Sequence, residues 1–261
     1  MTDRRDLDNR LFVGRVQRRL GIRPDEWAGG ETVAAWEAWT AEYVPEQPFP
    51  RPGIGSLTVA VPLRAVAPRL VDSEVADWSE HLAAAAERWG ITTINRLAAW
   101  LPQLAHESGG FTRLEENLNY SAERIAAVWP SRFPTIQHAA PYARDPVKLA
   151  RRVYGGRLGN DSLSDGYVYR GRGLIQLTGR ENYRAAPKAG SVALEDVPEL
   201  AKEPAVAAMI AGWYWQSRGC NELADAGDFR AITRKINGGL TGLADRERLW
   251  ALAKAALGVE P

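Results

Sequence analysis

Four prolines fall within the eight residues 45–52, in the run Pro45-Glu46-Gln47-Pro48-Phe49-Pro50-Arg51-Pro52-Gly53. Each proline fixes its φ near about −65° and removes a backbone donor, so this stretch favours extended polyproline geometry over helix or sheet. The chain is thereby divided. Residues 45–60 are expected to form a linker between a small module at 1–44 and one larger domain at 61–261, and 261 residues suffice for both. Beyond the linker there is no second Pro-rich break and no internal repeat.

Composition narrows the function classes. Hydrophobic residues make up 45% and charged residues 25% of the chain, the balance of an ordinary globular protein. Lys+Arg total 33 against Asp+Glu 32, for a net charge of +1, so no global basic field exists to hold nucleic acid. The single cysteine, Cys220, cannot close an intramolecular disulfide and reads as a buried structural thiol. His81, His106 and His138 form no HxxxH pair and no CxxC or EF-hand loop occurs, so neither metal nor cofactor is expected. Met1–Arg10 is mostly charged and lacks the apolar region of a signal peptide. No apolar run approaches the roughly 18 residues of a membrane span. Synthesis in a cytoplasm, no stable membrane insertion and a monomeric state are the expectations.

Hydrophobic periodicity is helical through most of the chain. Phe12, Val13, Val16 and Leu20, then Val33, Trp36 and Trp39, form two short helical blocks. The order Val16, Gln17, Leu20, Gly21, Asp25, Gly29, Thr32, Ala35 resembles the peptidoglycan-binding type-1 module, with a packing or interaction module as the alternative. After the linker, helices are predicted over Ser73–Trp89, with Ser73 as N-cap, and over Thr93–His106. Further helices are predicted over Pro146–Val153, Pro204–Ser217, Phe229–Ile236 and Ala244–Ala256. Only Leu114–Tyr120 and Tyr167–Thr178 read as strand, the second placing Leu174, Gln176 and Thr178 on one side. The fold class is mainly α with a small β element. Most of the ten tryptophans belong to helical stripes and read as core, with sugar-stacking platforms as the alternative for a minority.

Four blocks carry candidate chemistry. Glu107 stands in the last turn of a predicted helix, just before Gly109 and Gly110. The negative end of the helix dipole favours the protonated carboxyl that a general acid needs, although a solvated Glu ending a helix fits the same spacing. Glu115 and Glu116 follow in an extended segment, where only one of two neighbours can face a given groove. Paired carboxylates are the apparatus of glycoside hydrolysis. A gap of about 6.5–9.5 Å admits a water and inverts the anomeric centre, whereas about 5–5.5 Å gives retention. Gln176 and Thr178 offer an amide and a hydroxyl suited to sugar hydroxyls and a water. Asn237 ends a helix before Gly238 and Gly239.

Taken in order, the motifs HESGGF (106–111), ENLNYSAERI (116–125), YRGRGLIQLTGRENY (169–183) and INGG (236–239) closely resemble the glycoside hydrolase family 19 domain, in its phage endolysin and bacterial lysozyme-like branch. The resemblance runs from about Val61 to Gly258. It implies a two-lobed, α-rich, lysozyme-like catalytic domain that hydrolyses β-1,4 linkages with inversion and without metal. Glu107 matches the family's general acid, Glu116 its general base, and Thr178 the residue that positions the attacking water. Gln176, Asn182, Asn237 and Arg246 match substrate-binding residues. The implied partner is the glycan strand of peptidoglycan, cut as by a muramidase after release from a host bacterial cytoplasm.

Two features depart from the family. Pro102 lies inside the helix that delivers Glu107 and predicts a kink costing about 3 kcal/mol or more. The cystine bridges of the plant chitinases cannot form here. Three alternatives stand beside the endolysin: a chitinase, with the same chemistry on another polymer; a lytic transglycosylase, which needs no base such as Glu116; and a non-catalytic wall-binding protein.

Overall fold

From Val59 onward apolar residues return every three or four positions, and the chain answers with helix after helix. The structure, a computed structural model, describes residues 56–190 and 193–259. The expected module at 1–44 and the linker as far as residue 55 lie outside the described residues. Residues 56–60, expected to close the linker, instead open a helix.

In chain order the helices are α1 (Ser56–Val66), α2 (Asp72–Arg88), α3 (Ile94–Ser108), α4 (Ala122–Val128), α5 (Ile136–Ala139) and α6 (Pro146–Tyr154). They are followed by α7 (Asp165–Val168), α8 (Arg180–Ala185), α9 (Pro204–Ser217), α10 (Cys220–Asp225), α11 (Phe229–Asn237) and α12 (Leu243–Ala256). The described chain divides into two compact units. One comprises 56–114, Arg172–Gln176 and 201–259, and the other comprises Glu115–Gly171 and Leu177–Leu200.

In the first unit α3 packs against α1, α10, α11 and α12, while α2 packs against α1 and α9. Leu97, Trp100, Leu101 and Leu104 of α3 are buried, each aliphatic side chain contributing about 1.5–3 kcal/mol by leaving water. The Thr93 hydroxyl accepts from the Arg96 N–H at 3.2 Å and caps α3. Helix α2 starts one residue before the predicted Ser73. Val71 takes the cap position, its N–H bound by the Glu74 carboxylate at 2.9 Å, which is the glutamate half of a capping box. Pro102 does not interrupt α3; the helix runs unbroken to Ser108, with Pro102 itself buried.

The second unit has its own core of Leu118, Ile125, Phe133, Leu149, Val153 and Tyr167. Three of its short helices carry side-chain caps: Ser121 for α4, Thr135 for α5, and Asp145 with Pro146 behind it for α6. The fold is mainly α, as expected, but neither predicted strand forms. Among the described residues of these two segments ladder pairing is confined to the single residues Glu115, Arg172 and Leu177, and Gly173–Gln176 is a turn. Positive φ at Gly173 (75°), Gln176 (52°) and Gly179 (91°) breaks the extended run. Strand alternation therefore does not place Leu174, Gln176 and Thr178 on one side. Among the described residues no helix is long and apolar enough to cross a membrane.

Candidate active site

Helix α3 ends in a left-handed Gly109 (φ 62°), and the Gly110 N–H closes back on the Ala105 carbonyl at 2.7 Å. Ser108 is consumed locally. Its hydroxyl donates to the Leu104 carbonyl at 2.7 Å and accepts from the Phe111 N–H at 2.8 Å. Glu107, one residue earlier, meets α12, where the Arg246 guanidinium donates both to the Glu107 carboxylate and to the Gln103 amide oxygen. Gln103 stands one helical turn before Glu107 on the same face. Its amide nitrogen donates to the Thr233 hydroxyl at 3.1 Å, and Thr233 donates in turn to the Phe229 carbonyl at 3.0 Å. A polar chain through three buried side chains thus fixes one carboxylate oxygen of Glu107. Beside it, His106 Nδ1 lies 2.7 Å from Asp245 Oδ2. Arg248 first, and His106 second, hold the Asp245 carboxyl below the usual range.

Arg246 was expected to bind substrate directly. At 1% exposure, with its amino groups committed to Gln103 and Glu107, it has no surface to offer a sugar.

Glu115 and Glu116 part company as neighbouring residues of an extended segment should. Glu115 pairs with Arg170, whose buried guanidinium lies 4.1 Å from the centre of the Tyr167 ring. Glu116 is held by its own backbone and side chain on Gly171: its N–H donates to the Gly171 carbonyl at 2.8 Å, and the Gly171 N–H reaches its Oε2 at 3.3 Å. The Tyr154 hydroxyl donates to Glu116 Oε1 at 2.6 Å. Burial pushes the Glu116 carboxyl up, against the downward pull of Tyr154, the Gly171 N–H and Arg170. Burial, together with the carboxylate it faces, also raises the Tyr154 phenol. Neither Tyr154 nor Gln103 was singled out in the sequence. Tyr154 lies one residue past the predicted helix Pro146–Val153 and closes α6 in the structure, and the signal for Gln103 is its four-residue spacing from Glu107.

The remaining candidates are placed as follows. Gln176 turns its amide nitrogen back onto the Gly173 carbonyl at 3.0 Å. Asn182 donates from its side chain to the Thr178 carbonyl at 2.7 Å, and both residues are half-buried. Asn237 is exposed at the end of α11, before a left-handed Gly238. By unit, Glu107, Gln176, Asn237 and Arg246 belong to the first, and Glu116, Thr178 and Asn182 to the second. Trp78, Trp100 and Trp215 are core residues, and burial pushes the Cys220 thiol up to about 12, leaving it unreactive.

No protein-family model matches the chain. A glycosyl hydrolase family 19 domain-containing protein of Haemophilus influenzae is 40% identical over 178 residues, covering 66% of this chain and 84% of that protein. An endochitinase of Arabidopsis thaliana is 32% identical over 151 residues, 58% of this chain and 41% of its own length. Among solved structures, chitinase C from Streptomyces griseus shares the fold with a TM-score of 0.52 at 21% identity, over 77% of this chain and 92% of its own. A bacterial family 19 chitinase does so with a TM-score of 0.51 at 23% identity, over 77% and 95%. The Haemophilus relative carries the family assignment and the solved structures carry the fold: the chain belongs to glycosyl hydrolase family 19 and is a glycoside hydrolase.

Proposed function

We propose that the protein is an endolysin that hydrolyses the β-1,4 glycosidic bonds of peptidoglycan by an inverting, muramidase-type mechanism. The observation that carries the mechanism is a pair of glutamates, each fixed by a hydrogen-bonding side chain from a separate helix. Glu107 is seated on a buried guanidinium, and Glu116 is half-buried with a tyrosine hydroxyl on one oxygen. Protonated Glu107 donates to the glycosidic oxygen as the bond to the anomeric carbon breaks. The carboxylate it leaves behind meets Arg246, a cation already in place for the charge that develops. Glu116 takes a proton from a water held by the Thr178 hydroxyl, and that water attacks the opposite face of the sugar. A raised Glu116 is a stronger base than an ordinary carboxylate at the pH where it is ionised.

Tyr154 and Arg246 serve as positioning residues. Gln176, Asn182 and Asn237 bind sugar in this reading. Residues 1–44 bind the wall and raise the local concentration of substrate across the Pro-rich linker that follows them. The protein is made in a host bacterial cytoplasm and reaches the wall on release.

A second reading, chitinase, is favoured by the proteins named as chitinases among the relatives. Sugar release from purified sacculi and from chitin, measured side by side, separates the two. Glu107→Gln and Glu116→Gln should each leave less than a tenth of wild-type release from sacculi, and Glu115→Gln should cost little. Retained activity in Glu107→Gln, or the reverse ranking at 115 and 116, contradicts the assigned roles. Release from chitin alone assigns the protein to the second reading.

A further inference from the structure

The helix that carries Glu107 ends beside a hollow of about 400 Å³, walled by the end of α1, the end of α3 and the first turns of α12. Three arginines line it, Arg69, Arg113 and Arg248, together with His106 and Asp245. The charges there do not cancel. Asp245 is taken by Arg248 at 2.8 Å and by His106 at 2.7 Å, which leaves Arg69 and Arg113. Arg69 donates one N–H to the Gly109 carbonyl at 3.1 Å, a contact that also compensates the negative end of α3. The Arg113 guanidinium lies directly over Gly109, where a Cβ would stand 2.5 Å from its Nε. A Cβ on Gly110 would stand 4.0 Å from the Arg69 amino group. Among the described residues neither guanidinium has a carboxylate partner. Two like charges therefore lie beside the same pair of glycines, an arrangement that attracts an anion. The absence of a side chain on Gly109 is what lets the Arg113 guanidinium lie this close to the backbone. Gly110 is three residues from Glu107, at most about 11 Å along the chain.

We propose that this hollow binds a carboxylate carried by the glycan strand, and that Arg69 and Arg113 thereby select a charged polymer over a neutral one. The inference rests on the peptidoglycan reading. Chitin bears no carboxylate, whereas peptidoglycan carries one on the lactyl group when the peptide is absent and several on the peptide stem. A guanidinium fork matches the two oxygens of a carboxylate, and two forks hold it from two directions.

The test uses the full-length protein on soluble peptidoglycan strands with the carboxylates either free or amidated, a change that removes charge and keeps the polymer. For the wild type, KM on amidated strands should be about tenfold higher than on free ones, and added NaCl should raise KM only on the free strands. Arg69→Gln/Arg113→Gln should have one KM for both substrates, near the wild-type value on amidated strands, with kcat unchanged. Both side chains are exposed, so the double variant should stay folded, its loss of stability limited to the one exposed contact of Arg69 at the end of α3. Strands stripped of their stems by an amidase assign the source. A preference kept there belongs to the lactyl carboxylate, and a preference lost belongs to the stem. A double variant that keeps the wild-type preference overturns the inference, as does a wild type whose KM ignores both amidation and salt. A wild type that cuts neither form overturns the peptidoglycan reading itself, and this is seen before any variant is made.

Discussion

The Tyr154 hydroxyl donates a 2.6 Å hydrogen bond to Oε1 of Glu116, opposing the burial that pushes the same carboxyl up. A bond to the ionised form favours that form, so removing it should raise Glu116 further. A base must be ionised to act. In Tyr154→Phe the acid limb of the kcat/KM pH profile should therefore move to higher pH, by about 1 unit for a bond of this kind. An acid limb that stays where it was would detach Tyr154 from the base.

Arg246 bridges Gln103 and Glu107 with two amino groups from a buried position. Lysine keeps the charge but presents a point donor in place of a planar fork, so Arg246→Lys should satisfy one partner and abandon the other. We expect kcat to fall about tenfold or more with KM little changed, and stability to drop by about 3 kcal/mol for the disrupted buried pair. Steady-state kinetics and thermal melting check both parts. A fall in activity through KM alone would make Arg246 a substrate-binding group after all.

Gly173 stands at the turn that replaces the predicted strand. Its φ is 75°, and a Cβ there would lie 2.7 Å from the Ala201 carbonyl oxygen. Gly173→Ala should cost about 1–3 kcal/mol, from the left-handed backbone and the backbone contact together. The corresponding loss in Tm is several degrees for a domain of this size. An unchanged Tm would mean that the turn relaxes freely.

Glu195 accepts from Arg184 at 2.8 Å and from Arg180 at 2.7 Å, which holds its carboxyl down to about 2, Arg184 contributing most. A carboxyl lowered by folding stabilises the protein above its unfolded value of about 4.3, and that contribution is lost as pH falls toward the folded value. Glu195→Gln should cost about 1–2 kcal/mol at pH 7, allowing for the exposure of Arg184, and progressively less as pH is lowered from 5 toward 3. Denaturant melts across that range measure the difference. A gap that widens toward acid would reverse the sign.

Helices were legible where local signals agreed. Pro204–Ser217 was read to the residue because Pro204 suits the first turn of a helix and the apolar stripe runs unbroken behind it. The segment 167–178 was misread because its alternation mimics a strand, while what decides its path is positive φ at Gly173, Gln176 and Gly179. The carboxylates Glu107 and Glu116 stood out by motif. Their partners did not, because Arg246 comes 139 residues after Glu107 and Tyr154 38 residues after Glu116, and no local periodicity pairs such positions. The burial of Arg246 was invisible for the same reason: an arginine beside an aspartate on a helix reads as a solvated face until the helix against which it packs is known.

Hydrolysis of the glycan strand by Glu107 and Glu116 is tested most directly by mass spectrometry of the products released from purified sacculi by the wild type and by Glu107→Gln. The wild type should release muropeptides with free reducing ends, one water gained for each bond cut, and Glu107→Gln should release almost none. Products ending in 1,6-anhydro sugars, with no water gained, would show that Glu116 activates no water. Sacculi left intact by the wild type would contradict the peptidoglycan reading altogether.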